Sequence, residues 1–140
     1  MKNLISRLNS KGNRVDLFDP NIFRILLGVY ILYKGVYFTQ HTDLLIEYIE
    51  PVNVGMTKLF LVHIIAMSHI AGGVLLIFGL FTRIAALFQL PILIGAIVAN
   101  YVLGDITEFT ISIVVLSFIL YFIVFGSAKF ALDYKLKLEI

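Results

Sequence analysis

Tyr30, Lys34, Tyr37 and His41 follow one another at i, i+4, i+7 and i+11. That spacing lines side chains along one face of an α-helix. A lysine and a histidine among phenol rings offer hydrogen bonds to ring oxygens and flat surfaces for stacking. This is the chemistry that would bracket a quinone headgroup. Elsewhere in the chain, His63, Asn100 and Glu108 stand out as polar residues in or beside long apolar runs. The ordinary alternative is that Lys34 reaches to the nearest interface, His63 bonds a neighbour and the tyrosines form an interfacial belt.

His69 lies beside Ser68, Gly72 and Gly73. It is expected to donate to a carbonyl across a helix interface rather than to hold a metal. His63 and His69 are six residues apart, on different helical faces. With His41 the only other histidine and no cysteine, neither zinc nor haem is expected to be bound. There is no nucleotide motif, no cofactor loop and no nucleophile with its base, so catalysis by this chain alone is not expected.

These residues sit in an unusual chain. Of its 140 residues 60% are hydrophobic and only 14% charged, with a mean hydropathy of +0.97. Soluble domains run at roughly 45–50% apolar and about 25% charged. A small domain has too little interior to hide so much apolar surface from water. The net charge of +2 does not suggest nucleic acid, and the absence of cysteine excludes disulfides and thiol chemistry.

Four apolar runs span Pro20–Phe38, Thr57–Phe78, Ile84–Leu103 and Phe109–Phe125. Each approaches the ~20 residues that cross a bilayer as a helix. The backbone must satisfy its own hydrogen bonds there, and no period-two alternation suggests strands. The fold expected is all-α: a single-domain transmembrane four-helix bundle. Asp19–Pro20 reads as an N-cap with a first-turn proline. Asp105 and Glu108 have the spacing of a capping box. Gly79 ends the second run so close to the third that those two must form a tight antiparallel hairpin.

Lys2, Arg7, Lys11, Arg14, Arg24, Arg83, Lys129, Lys135 and Lys137 all fall on one side of this arrangement, and Lys58 on the other. The positive-inside rule then places both termini in the cytoplasm. Lys34 interrupts the first run and no small-residue cleavage site follows it, so that run is expected to be retained rather than removed as a signal peptide. Met1–Ser10 and Thr42–Glu50 have the apolar–polar patterning of surface helices; a frayed terminus and a polar loop are the alternatives.

At ~1.5 Å per residue, Lys34 lies ~6 Å, His63 ~9 Å and Asn100 ~5 Å below the same end of the bundle, where Glu108 starts the last helix. Four helices thus offer polar groups to one layer. The Cα–Cβ bond tilts toward a helix N-terminus. This leans Lys34 inward and asks for a counter-charge, with Glu108 or an acidic loop residue the natural choice. Ser68 with Gly72 and Gly95 with Ala99 are spaced to let helices approach closely. Pro91 is expected to kink the third run, with Gln89 near to satisfy a freed carbonyl. Arg24 and Arg83 could pair with Asp16, Asp19 or Asp133, or meet anionic lipid headgroups.

Three stretches carry a family resemblance: FRILLGVYILYKGVYF (Phe23–Phe38), AGGVLLIFGLFTRIAAL (Ala71–Leu87) and GSAKFALD (Gly126–Asp133). The chain resembles the DoxX family of small bacterial membrane proteins. The positions that carry the resemblance are Arg24, Gly28, Gly35, Gly79, Arg83, Gly126 and Asp133; Ala128 and Ala131 depart from the family's closing glycine and serine. The resemblance implies a four-helix bundle in the bacterial inner membrane. It also implies an association with membrane oxidoreductases, because the founding members are subunits linked to thiosulfate:quinone oxidoreduction. The function expected is that of a small membrane subunit of such a complex, with quinone as the candidate ligand at Tyr30, Lys34, Tyr37, His63, Asn100 and Glu108. Two alternatives stay open: a non-catalytic accessory subunit of a larger membrane complex, and a small-solute transporter. The transporter reading lacks an inverted repeat or broken helices to support it.

Overall fold

The computed structural model describes residues 19–50 and 58–126. Four long helices are present: α1 (Pro20–Gln40), α3 (Lys58–Phe78), α4 (Thr82–Leu103) and α5 (Ile106–Phe125). A short helix, α2 (Thr42–Ile49), follows α1. All four long helices are long and apolar enough to cross a membrane. No strand occurs among the described residues. Large apolar side chains such as Leu26, Phe60, Phe88 and Phe125 face outward, as they must where hydrocarbon is the solvent.

The helix ends follow from local chemistry. Asp19 caps α1, its carboxylate accepting from Asn21 N at 2.9 Å, with Pro20 at the first turn. Gly79 is left-handed (φ 66°) and closes α3 in a Schellman motif: Leu80 N donates to Leu75 O and Gly79 N to Leu76 O. Gly104 (φ 73°) repeats the motif at the end of α4, through Asp105 N to Asn100 O and Gly104 N to Tyr101 O. Asp105 then caps α5 by accepting from Glu108 N at 3.0 Å. Because the cap is Asp105, α5 begins at Ile106, three residues before the apolar run read from the sequence; Glu108 lies in its first turn rather than ahead of it.

Helices α1 and α3 form one tight pair and α4 and α5 another, with α3 and α4 joined through their hairpin. The first pair is fixed by glycine. A Cβ at Gly28 would lie 2.8 Å from Ile77 N, at Gly35 2.7 Å from Ile70 N, and at Gly73 2.6 Å from Leu32 N. Those neighbours are backbone and cannot step aside. Backbone meets backbone closely at Gly28, Gly35 and Gly73, whereas at the Ser68–Gly72 pair read from spacing it is a side chain of α4 that comes close. Gly72 packs against the Gln89 side chain, and Gly95 has nothing among the described residues within 4 Å of where a Cβ would stand. Gln89 does not serve its own helix either: its Nε2 donates across to Ser68 O at 2.6 Å.

Arg24 is 2% exposed, and its Nη1 donates to Leu76 O at 2.5 Å and Ile77 O at 3.2 Å. It thus ties α1 to carbonyls at the C-terminal end of α3, where a cation is also favoured by the helix dipole. This is a buried role, distinct from the inner-leaflet anchoring open to it from sequence. Arg83 is exposed and lies beside Gly126, where a Cβ would stand 2.8 Å from its Nε. Gly126 (φ 71°) closes α5. Asp133 and the Met1–Ser10 segment lie outside the described residues.

The segment after α1 is helical, but its apolar face does not lie on a membrane surface alone. Leu45 and Ile49 are buried together with Val62 of α3, and α2 packs on both α3 and α4. It sits between the ends of these helices that are farthest from their hairpin.

Candidate ligand-binding site

Helices α1 and α5 meet only sparsely. Near one end the Phe23 and Phe118 rings stack with centroids 5.7 Å apart. Toward the other end Lys34 Nζ donates to both Glu108 oxygens at 2.8 Å. The carboxylate is delivered there by the α5 cap: Asp105 holds Glu108 N, which fixes the first turn. A glutamate in that turn also faces the positive end of the helix dipole. The ion pair is partly covered, with side-chain exposures of 18% and 29%. Lys34 Nζ also lies 5.9 Å from the Tyr30 ring centroid and 6.0 Å from that of Phe38, within cation–π range.

Beneath this pair is a cavity of about 340 Å³. Its volume is within the ~300–1,000 Å³ usual for small-molecule sites. Most of its wall is aliphatic, from α3, α4 and the inward face of α2. The polar groups on the wall are Tyr30, Lys34, Tyr48, His69, Asn100, Glu108 and Ser112. Asn100 Nδ2 donates to Ser112 Oγ at 3.1 Å. Asn100 is 4% exposed, and its Oδ1 has no partner among the described residues. His69 Nδ1 lies 2.9 Å from Ile65 O. A carbonyl only accepts, so Nδ1 carries the proton and Nε2 of the neutral ring is an acceptor. The ring meets Phe38 edge to face at 5.7 Å.

On the other side of the ion pair lies a second cavity of about 540 Å³, lined by Tyr33, Tyr37, Leu44, Glu47 and Asp105 among others. Tyr30, Lys34, Phe38, Tyr48 and Glu108 line both spaces. They form the partition between them. Burial pushes the Tyr48 phenol above its usual range, and the negative charges of Glu108 and Asp105 push the same way. Among the described residues no group of three or more His, Asp or Glu is placed to hold a metal ion.

Of the residues singled out from sequence, Tyr30, Lys34, Asn100 and Glu108 are brought together on one cavity wall. Tyr37 is on the outer side of the partition, where its ring stacks on His41 at 4.3 Å. His63 is elsewhere. It is exposed on α3, with Nδ1 2.7 Å from Leu59 O, and lines neither cavity. The physical reason is rotation about the helix axis: depth put His63 in the right layer, but its azimuth carries it away from the bundle. His69 bonds its own helix instead of a neighbour, and its ring faces the cavity. Phe38, Tyr48 and Ser112 were missed. Phe38 is four residues beyond Lys34 and Ser112 four beyond Glu108, so helical spacing from either charge would have found them. Tyr48 arrives only because α2 folds back over the bundle.

The sequence model of a family described as DoxX matches residues 20–102, which run from the start of α1 almost to the end of α4. No curated protein and no solved structure matches the chain.

Proposed function

The chain belongs to the DoxX family of membrane proteins, and from that premise we propose that it is a small subunit associated with a membrane oxidoreductase, holding a quinone headgroup in the cavity beside Lys34 and Glu108. The observation that carries this reading is a charged pair on the wall of a mainly apolar cavity between membrane-spanning helices. Ionisable groups in such surroundings are costly and mark ligand or ion pathways. A quinone ring is flat and apolar with oxygens at opposite edges. Lys34, Tyr30 and Ser112 supply donors for those oxygens, and Tyr30, Phe38 and Tyr48 supply ring faces. In the hydroquinone form the same oxygens become donors, for which Glu108 and His69 Nε2 are acceptors. A site with both kinds of group offers partners to the ring oxygens in either form.

The excess of Lys and Arg at the Arg24 end supports the cytoplasmic placement of that end and of both termini, with the cavity in the opposite leaflet of a bacterial inner membrane. Electrons would come from a partner carrying flavin, haem or an iron–sulfur centre.

The test is binding in lipid nanodiscs by isothermal titration calorimetry, with a tailless benzoquinone headgroup as probe. Lys34→Met is expected to weaken binding of this probe, and Glu108→Gln binding of the corresponding hydroquinone, by about tenfold each, the loss of one charge-assisted hydrogen bond. Absence of binding to the wild-type protein, or unchanged affinity in both variants, rejects the site. Mass spectrometry of material purified in mild detergent tests the association: a co-purifying redox subunit supports it. A large partner without redox centres would favour the accessory-subunit reading.

A further inference from the structure

Among the described residues, two side chains of the cavity wall are exposed on the outside of the bundle. Ile64 of α3 lines the cavity and is 41% exposed, and Pro91 of α4 lines it and is exposed as well. Between them the wall is made by Leu61 and Ile65 on one helix and Gly95 and Ala96 on the other. Ile64 lies ~9 Å along α3 from Lys58, and Pro91 ~18 Å along α4 from Leu103, which is hydrocarbon depth rather than headgroup depth. The hairpin holds α3 and α4 together at one end, while α2 covers the seam at the other. The exposed stretch is therefore beneath α2, facing lipid.

Gly95 is the informative residue on this seam. Glycine in a helix interior costs about 1 kcal/mol relative to alanine. In α1 and α3 that cost accompanies backbones in contact, but at Gly95 nothing among the described residues lies within 4 Å of the Cβ position. The missing side chain brings no helix closer. It leaves space in the wall of a cavity whose far end carries Lys34, Glu108 and Asn100, whose Oδ1 has no partner among the described residues.

We propose that the cavity opens sideways into the bilayer between α3 and α4, and that the polyprenyl chain of the bound quinone leaves through this opening past Gly95. The inference rests on the headgroup reading above and adds its route. The head stays at the polar end while the chain remains in an apolar solvent throughout. Hydrocarbon is as apolar as the seam, so the chain gains little affinity from it. What the opening provides is passage, and it matters only to a ligand with a chain.

The experiment compares two probes in nanodiscs at matched membrane concentration, the tailless benzoquinone and its decyl-tailed analogue. Gly95→Leu fills the seam from one side, and Ile64→Trp narrows it from the other at an already exposed position. Val98→Leu, exposed on α4 and outside the cavity wall, is the control. In both seam variants the tailed probe is expected to bind at least about tenfold more weakly, with the tailless probe changed less than about twofold. Equal weakening of both probes, or undiminished binding of the tailed probe in both variants, overturns the portal and leaves the headgroup site standing. If neither probe binds the wild-type protein, the headgroup reading fails and the portal with it.

Discussion

Breaking the Lys34–Glu108 pair should cost far more when one partner is removed than when both are. At 2.8 Å and an effective dielectric of about 20, the charges attract by roughly 6 kcal/mol before desolvation and side-chain ordering are subtracted. Exposed pairs retain about 0.2–1 kcal/mol net, and removal of one partner from a buried pair costs about 3–5 kcal/mol. With exposures of 18% and 29% the pair lies between these limits. Lys34→Met and Glu108→Gln should each destabilise the bundle by about 2–3 kcal/mol, because each leaves a charged group facing an apolar cavity. The double variant should cost less than about 2 kcal/mol, since no charge is then stranded. Glu108→Gln also removes a favourable charge from the first turn of α5, but that contribution is present in the single and the double variant and cancels in the cycle. The assay is unfolding in mixed micelles with increasing dodecyl sulfate, followed by far-ultraviolet circular dichroism. A double variant whose loss equals the sum of the singles, within about 0.5 kcal/mol, would refute the coupling.

Two glycines should respond in opposite directions in the same assay. Gly73→Ala places a Cβ 2.6 Å from Leu32 N and is expected to cost about 1–3 kcal/mol through overpacking. Gly95→Ala meets nothing and should raise stability by up to about 1 kcal/mol; a loss there would mean that the space is not free. Asp105→Ala removes the α5 cap and should cost about 1 kcal/mol, and a midpoint equal to wild type would contradict the cap. Tyr48 should titrate above the usual range of a phenol, its ionisation assigned by the difference in ultraviolet phenolate absorbance between wild type and Tyr48→Phe. The folded state holds the Tyr48 proton more tightly than the usual value of 10.0. Its contribution to stability is thus complete below that pH and declines as pH rises toward the folded value. Ionisation at or below 10.0 would be inconsistent with the burial described.

The two cavities give the ion pair a position that its sequence neighbourhood does not reveal. Lys34 and Glu108 are 74 residues apart. They meet because α1 and α5 cross the bundle in opposite directions and the α5 cap presents its first turn to α1. On the outer side lie Glu47 and Asp105; on the inner side the wall is mainly aliphatic. The inner cavity is therefore separated from the more polar space by a single layer of side chains. Tyr30 and Tyr48 belong to that layer.

Composition and run length alone determined that this chain is a helical membrane protein, because hydrocarbon leaves the backbone few ways to satisfy its hydrogen bonds. Local signals were equally legible. Asp19, Gly79 and Asp105 mark helix ends through interactions spanning only a few residues, and the family motifs fall within the matched stretch. Depth could be counted along each helix, which gave Lys34, Asn100 and Glu108 a common layer. Rotation about each helix axis could not be counted, since a helix apolar on every side has no polar face to orient it. Packing decided that rotation. The glycine contacts of α1 and α3 turned His69 toward the cavity and left His63 outside it. Tertiary structure likewise decided that α2 folds over the bundle and that Gly95 borders space rather than another helix. Both depend on which surfaces meet across the bundle, and spacing along a single helix carries no record of its partner.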